Sequence, residues 1–498
     1  VLKLSSTLVF SIIWLQFAPF LMSTQMENEA YRVLDTISQN KKKQLIDYLQ
    51  ILQKKAEAVR NDKLIQEFFK IKQAYYRLQK QKKAPDSVTQ AVTKLKENLE
   101  FYSHQQYMVF YDMLLIDTNG DIFYTIRKQA DYHKNIFCSE LGNSPFIRRL
   151  KNHHNASYID FQNYKISGEP SAFFVEPFID GPKHLGWFVL QCAINKINSI
   201  FSLEDALGIT GETVLVNRDH YLLTDSRFNP DSTILKIKLS EENIESKFRE
   251  RKGHKSVTDY RGEKVLSSFE VFPFWGTEWL IISKIDRNEV LTDYFRRNKT
   301  AIIPALRKAI ESQEAQHKLD TIPTFTKKNL EIDMDEYRRT DHNHILYTHG
   351  VSSCTAIVAQ LPGRFAYLSH NSPYDRIYNE TKTDLLGRIL KQITHYEVTP
   401  FEKGEIEFII IAPHTKSLES IIDVLIDNGI LLSQIKFMCQ TKAEYANVYF
   451  DPQSSEAFIQ WKIKNSKSPF LLEKSKNTSS LTALTEKVIA TLKRPGRA

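Results

Sequence analysis

The sequence predicts an α+β chain of 498 residues: an N-terminal membrane helix, a long stalk helix, two successive mixed antiparallel sheets, and a final α/β layered unit. Three observations carry this. An uncharged, largely apolar run at 4–26 leads into apolar positions spaced by three and four residues. Strand-length apolar runs separated by turn residues then fill 108–285. Beyond 335, short apolar strands alternate with amphipathic helices. The length fits about three domains at roughly 150 residues each.

The first element is Leu8–Met22, almost wholly apolar, inside a 4–26 segment without charge. About 20 such residues span a bilayer as a helix. Lys3 before it and Glu27 and Glu29 after it favour an N-terminus on the cytoplasmic side. A cleaved signal peptide is the rival reading, but no A-x-A site follows the apolar run, which favours an uncleaved anchor. The runs Phe408–Pro413 and Trp279–Ile285 are too short to span and read as buried strands. The expected topology is therefore single-pass, with everything after residue 26 outside the cytoplasm.

Residues 27–106 follow as helix, with Leu34, Ile37, Leu45, Tyr48, Leu49 and Leu52 on one face and Lys, Glu and Gln elsewhere. Pro85-Asp86-Ser87 interrupts and starts a new helix. This stalk is also the expected seam of a homodimer. At Met108 the pattern changes to a hairpin, with strands on either side of the turn Thr118-Asn119-Gly120-Asp121. Strands at Tyr158–Phe161, Ser171–Phe178 and Leu185–Leu190 complete one set, and a similar set begins at Thr213 and ends at Trp279–Ile285. The stretch Ile285–Leu319 is helical but too charged to span, and reads as a linker. The last unit runs from 335 to 465, and includes an amphipathic helix at Ser417–Ile430 stopped by Gly429.

Composition excludes several functions. Net charge is +8, but 462–498 alone carries nine Lys/Arg against two Asp/Glu, so the body is near neutral and offers no nucleic-acid stripe. That tail, 466–498, reads as basic and flexible. Cys138, Cys192, Cys354 and Cys439 show no CxxC spacing, so neither a zinc ribbon nor a thioredoxin-type site is expected, and four cysteines in a chain this long make no disulfide framework. Asp341-His342-Asn343-His344 lacks a fixed third ligand and reads as a polar turn rather than a metal site. GxxxxGK[ST], GxGxxG and kinase strings are absent, and no cofactor is expected.

The strings Gly168-Glu169-Pro170-Ser171, Gly211-Glu212-Thr213 and Thr224-Asp225-Ser226-Arg227-Phe228, set among the hairpins of 108–228, resemble the double Cache sensor region of bacterial chemoreceptors. The resemblance covers about 30–290. It implies two stacked PAS-like lobes, distal at about 107–200 and proximal at about 205–285, with a small molecule bound in the distal one. It further implies a bacterial inner-membrane protein whose bulk is periplasmic. The expected distal pocket is lined from Tyr124–Arg127 and a loop at Tyr158–Tyr164. There Arg127 can fork a ligand carboxylate, and Tyr124, Tyr158 and Asp160 can orient a polar ligand.

In the last unit the candidate chemistry is Thr348-His349-Gly350-Val351-Ser352-Ser353-Cys354 with His370 on the next strand. A thiolate nucleophile needs a nearby base, and adjacent antiparallel strands can supply one. Small residues at 350, 352 and 353 let backbone N–H groups approach an oxyanion. Cys354 reads equally as a small buried packing residue. The pattern T-x-G-x-x-S-C followed by a strand ending in His resembles the CheD-type glutamine deamidases of chemoreceptors. The resemblance implies Cys354 as nucleophile, His370 as base, Thr348 as its orienting partner, and a protein glutamine as substrate. Ser352 stands where that family has a second glycine. Two functions follow: a sensor coupled to a cysteine hydrolase, or a non-catalytic receptor whose last domain docks a partner.

Overall fold

In the computed structural model, the described residues are 6–81, 85–106, 109–137, 144–152, 155–202, 207–312, 321, 323–325, 328–341, 343–373, 385–399, 402–465, 470–475 and 480–492. Side chains of 6–24, 60, 96 and 98–106 fall outside this set. The chain forms two compact units, one of 31–285 and one of the residues before 31 and after 285.

The unit of 31–285 is organised by α1 (Ser6–Asn61). Its buried positions Leu34, Ile37, Lys41, Leu45, Leu49, Leu52, Ala56 and Val59 recur at three and four residues, a continuous stripe. Asp62 ends it and caps α2 (Lys63–Lys80), accepting the Ile65 N–H at 3.1 Å. Pro85 precedes α3 (Asp86–Gln106), as the sequence predicts. The break at Asp62 was not anticipated, since no proline or glycine marks it.

The first sheet comprises β1 (Asp112–Asp117), β2 (Ile122–Thr125), β3 (Ser157–Tyr164), β4 (Glu169–Asp180) and β5 (Lys183–Ala193), in the antiparallel order β2-β1-β5-β4-β3. Tyr158–Tyr164 is thus a strand, not a loop. Both faces are covered. One packs on α1 and α2 through Phe69, whose ring lies 4.3–5.0 Å from those of Phe123, Phe178 and Phe188. The other packs on α4 (Pro145–Asn152) through Phe146, stacked on Phe173 at 4.1 Å. Gly186 is required: a Cβ there would sit 2.1 Å from the Ile116 carbonyl oxygen, at a φ of +148°.

After α5 (Asn195–Ser202), the second sheet comprises β6 (Glu212–Val216), β7 (Lys252–Thr258), β8 (Lys264–Phe274) and β9 (Thr277–Asp286), in the order β6-β9-β8-β7. A single bridge, Val216 to Leu222, stands on the free side of β6. With it, the order repeats that of the first sheet. Helix α6 (Glu241–Glu250) covers one face through Ile244 and Phe248. The other face joins the α1 cluster through Leu215, Phe272 and Trp279.

The second unit opens with α7 (Arg287–Glu311), kinked at Asn298. Two five-stranded sheets follow. One has β10 (Asn329–Glu331), β12 (Ile345–Val351), β17 (Ala443–Asp451), β18 (Glu456–Ile463) and β19 (Leu471–Lys474) in that order. The other is β11 (Tyr337–Thr340), β14 (Phe365–Asn371), β13 (Thr355–Leu361), β15 (Glu407–Ala412) and β16 (Ile435–Cys439). Their inner faces share one core, with Val448, Ile459 and Trp461 opposite Val358, Leu368 and Ile409. The expected layered unit is therefore a two-sheet sandwich with outer helices α8 (Leu385–Gln392), α9 (Thr415–Asp427) and α10 (Leu481–Leu492). The strands β12 and β13 lie in different sheets, joined by the turn through Ser353.

Two boundary expectations are corrected. The linker is an integral helix: α7 buries Val290, Leu291, Phe295, Ile302, Leu306 and Ile310, and Arg307 pairs with Glu419 of α9 at 2.5 Å. The basic tail carries regular structure at its described residues: β19 pairs with β18, and α10 buries Leu481, Leu484, Thr485, Val488 and Ile489. The basic composition of the tail hid this apolar stripe. The expected membrane segment falls mostly on residues whose side chains are not described. Among the described residues, no helix is long and apolar enough to cross a membrane. Cys138, His342 and the end of the tail lie outside the described residues.

Leu481 is fully buried, so Leu481→Ala should cost about 2–4 kcal/mol of unfolding free energy. Denaturant unfolding followed by Trp461 fluorescence checks this; a solvated tail would leave the midpoint unmoved.

Candidate functional site

His370 sits near the end of β14, opposite Ala356 of β13. The alternation of side chains along a strand places it on the inner face with Ala366 and Leu368. Thr348 reaches it from the other sheet. The Thr348 hydroxyl lies 2.8 Å from the Ile332 carbonyl oxygen and 2.9 Å from His370 Nδ1. A hydroxyl has one proton. Both contacts are met together when Thr348 donates to Ile332 and accepts from Nδ1–H. The imidazole then carries its free lone pair on Nε2. That atom is buried and has no hydrogen-bond partner among the described residues. The backbone of His370 is held as well: its N–H donates to Glu336 at 3.1 Å, and its carbonyl accepts from Asp335 at 2.7 Å.

Cys354 lies two residues before Ala356 and shares the inner face, a diagonal neighbour of His370. It is a free thiol, 4% exposed. Burial raises its pKa above the ordinary thiol value, opposed by hydrogen bonds from Ser353 and the Ser352 backbone. Burial also lowers the pKa of His370, so the imidazole is neutral near pH 7. No hydrogen bond joins the sulfur to Nε2 at rest. The turn ahead of Cys354 contains Gly350 at φ +68°, a conformation that favours glycine, within an irregularity of the β12–β17 ladder. A cavity of about 220 Å³ adjoins, lined by Ser353, Asn371, Ser372, Lys416 and Ser417 but not by Cys354.

The four residues expected to bind a ligand in the first lobe do not converge. Tyr124 faces α2 and packs edge-on against Phe68 at 4.8 Å. Arg127 lies over the Tyr111 ring at 3.9 Å and donates to the Tyr111 carbonyl at 2.6 Å. Tyr158 and Asp160 come together with the second lobe instead. Tyr158 packs on Phe274 at 5.2 Å, and Asp160 accepts the Trp279 indole N–H at 2.9 Å and the Thr277 hydroxyl at 3.3 Å. They tie β3 to the turn and start of β9. Sequence reasoning missed Asp131 and did not single out Tyr164 within its pocket segment; both lie on the sheet face away from α1. Tyr164 donates to Asp131 at 2.9 Å, and Asp131 Oδ1 has no hydrogen-bond partner among the described residues. Nothing local in the sequence marks that pair.

Two sheets of one strand order along a single long helix define a class, the two-lobed sensor region. The chain belongs to the Cache domain family: the family model dCache_1, Cache domain, matches residues 22–294, more than half of it. Among solved structures, it is similar to the ligand-binding domain of Pseudomonas fluorescens chemoreceptor CtaA in complex with L-isoleucine, at 13% identity and a TM-score of 0.34, covering 54% of this chain and 94% of that one. It is also similar to the ligand-binding domain of the Pseudomonas aeruginosa amino acid chemoreceptor PctB in complex with L-Arg, at 14% identity and 0.33, covering 53% and 97%. An extracellular ligand binding receptor from Desulfohalobium retbaense is similar at 16% identity and 0.30, covering 48% and 40%. Comparison with curated proteins gives no match.

Burial raises the Asp160 carboxyl to about 6, against an unfolded value near 3.9. A raised acid binds its proton more tightly when folded, so its stabilising contribution is complete below about pH 4 and is lost as pH rises through about 6. Asp160→Asn should remove roughly 1–2 kcal/mol of that pH dependence. Thermal melts at intervals between about pH 4 and 7 check it, and parallel curves for the two proteins would count against it.

Proposed function

We propose that this chain is a membrane-anchored, extracytoplasmic small-molecule sensor whose C-terminal unit is a cysteine hydrolase acting on a protein glutamine. In this reading residues 4–26 form the anchor and the Cache lobes receive the solute. The first lobe takes its ligand on the face away from α1, where Asp131 offers an acceptor.

The observation that carries the catalytic half is the Thr348–His370 pair, which spans the sandwich and leaves Nε2 bare. A buried imidazole nitrogen without a partner is costly unless it is used. In this reading a change of rotamer brings the Cys354 sulfur to it. As sulfur bonds to the carboxamide carbon, the thiol proton passes to Nε2, and backbone N–H groups of the 350–354 turn face the developing oxyanion. The C–N bond then breaks, and the imidazolium returns the proton to departing ammonia. Water, deprotonated by the same nitrogen, hydrolyses the thioester to glutamate and frees the thiol. The neutral thiol and imidazole suit this proton transfer. Outside the cytoplasm the substrate is not the receptor tail that CheD-type enzymes modify.

One observation favours a second reading, a partner-docking module without catalysis: the thiol is buried, protonated and not hydrogen-bonded to the histidine.

Ammonia release from β-casein, a glutamine-bearing probe, should be abolished by Cys354→Ser and lowered roughly 10²–10⁴-fold by His370→Ala. Thr348→Val should lower it less, since it misplaces the imidazole without removing it. Iodoacetamide labelling of the Cys354 peptide gives a readout independent of substrate. At pH 7 it should slow in His370→Ala; equal labelling in both proteins, with no ammonia released, leaves the docking reading.

A further inference from the structure

We propose that the second lobe holds a ligand site of its own, between α6 and its sheet, and that it takes a short-chain monocarboxylate with Lys247 as the charged anchor. A cavity of about 110 Å³ lies there, lined by Lys247, Asn243, Thr258, Tyr260, Ser267 and Lys284 among apolar neighbours.

The surrounding charges are already committed. Lys284 pairs with Glu212 at 2.9 Å and with Asp259. Asp259 is also held by Arg261 at 2.8 Å, and Glu212 also accepts from Tyr260 at 2.7 Å. Lys255 pairs with Glu250 at 2.6 Å. Lys247 is 3% exposed, and its ammonium makes one long contact, 3.5 Å to the Asn243 carbonyl, with the Phe269 ring 5.7 Å away. No carboxylate among the described residues pairs with it. A buried ammonium without a counter-charge is unfavourable by several kcal/mol, as an order of magnitude. Burial, reinforced by Lys255 and Lys284 and only partly opposed by Glu250, which Lys255 already holds, pulls Lys247 down to about 8.

A ligand carboxylate supplies the missing charge. One free ammonium matches one negative charge. The walls from Val214, Ile244, Val257, Val265 and Ile282 suit a hydrocarbon tail rather than a phosphate, which needs more donors. Drug-sized ligands occupy roughly 300–1,000 Å³, so only a compact acid fits. The opening turn of α6 carries Glu241 and Glu242, which argues against a helix-terminus anion site and leaves Lys247 as the anchor.

The test titrates the full chain with propionate and, separately, with the neutral isostere propionamide, by calorimetry. Propionate should bind and raise the melting temperature, and propionamide should bind at least about 10-fold more weakly. Lys247→Met should fold, since it replaces an unpaired buried charge by an apolar chain of similar shape, and should lose at least about 10-fold in propionate affinity. Equal binding of acid and amide, absence of binding, or propionate affinity unchanged in Lys247→Met each overturns the proposal. Cys354→Ser should leave this binding unaltered, which separates it from the hydrolase reading.

Discussion

The apolar stripe of α1 is the constraint on which the sensor region rests. From Leu45 to Val59 it presents a side chain to the core on each turn, and both lobes lay a sheet face against the same cluster. Burying each such Leu, Val or Phe is worth about 1.5–3 kcal/mol, so neither sheet keeps its inner face dry without the helix. The second turn of packing comes from α2, where Phe69 sits among Phe123, Phe178 and Phe188. The lobes are then fixed to each other by a polar bond inside this apolar setting, Asp160 to the Trp279 indole. A ligand that shifts β3 acts on this bond directly, since Asp160 is on that strand.

The two candidate sites share a physical signature. Each is a polar group carried into a core and left short of partners. In the C-terminal sandwich Thr348 fixes the imidazole from one sheet while the strand fixes it from the other, and the remaining nitrogen faces inward. In the second lobe the carboxylates are taken by Lys284 and Arg261, and Lys247 is left. Burial without compensation destabilises a fold, which is why the proposed chemistry and binding are placed at these two groups.

Much of the fold was legible. The hairpin at 112–125 and the helix after Pro85 follow from local turn and cap chemistry. The Thr348–His370 pairing was an expectation of the resemblance to CheD-type deamidases, and it is made across the sandwich, from β12 of one sheet to β14 of the other. The ligand residues were less legible. Tyr124 and Arg127 read as pocket residues by composition, but strand parity turns Tyr124 toward α2, and Tyr111 captures the guanidinium. The tail misled for a different reason: nine basic residues across 462–498 hid a stripe of Leu, Val and Ile at helical spacing.

The sequence by itself determined the order of elements and the two successive antiparallel sheets, because periodicity and turn residues act over a few neighbours, while the two-lobed sensor region came from its resemblance to a known family. Only the tertiary structure decided the rest. Strands β17, β18 and β19 form a second sheet against β13–β16, since their apolar faces need a partner that local pattern cannot name. Whether a charged side chain finds its counter-charge is also a long-range matter. Lys284, from β9, meets Glu212 and Asp259 far away in the chain, while Lys247, one helix over, meets none among the described residues.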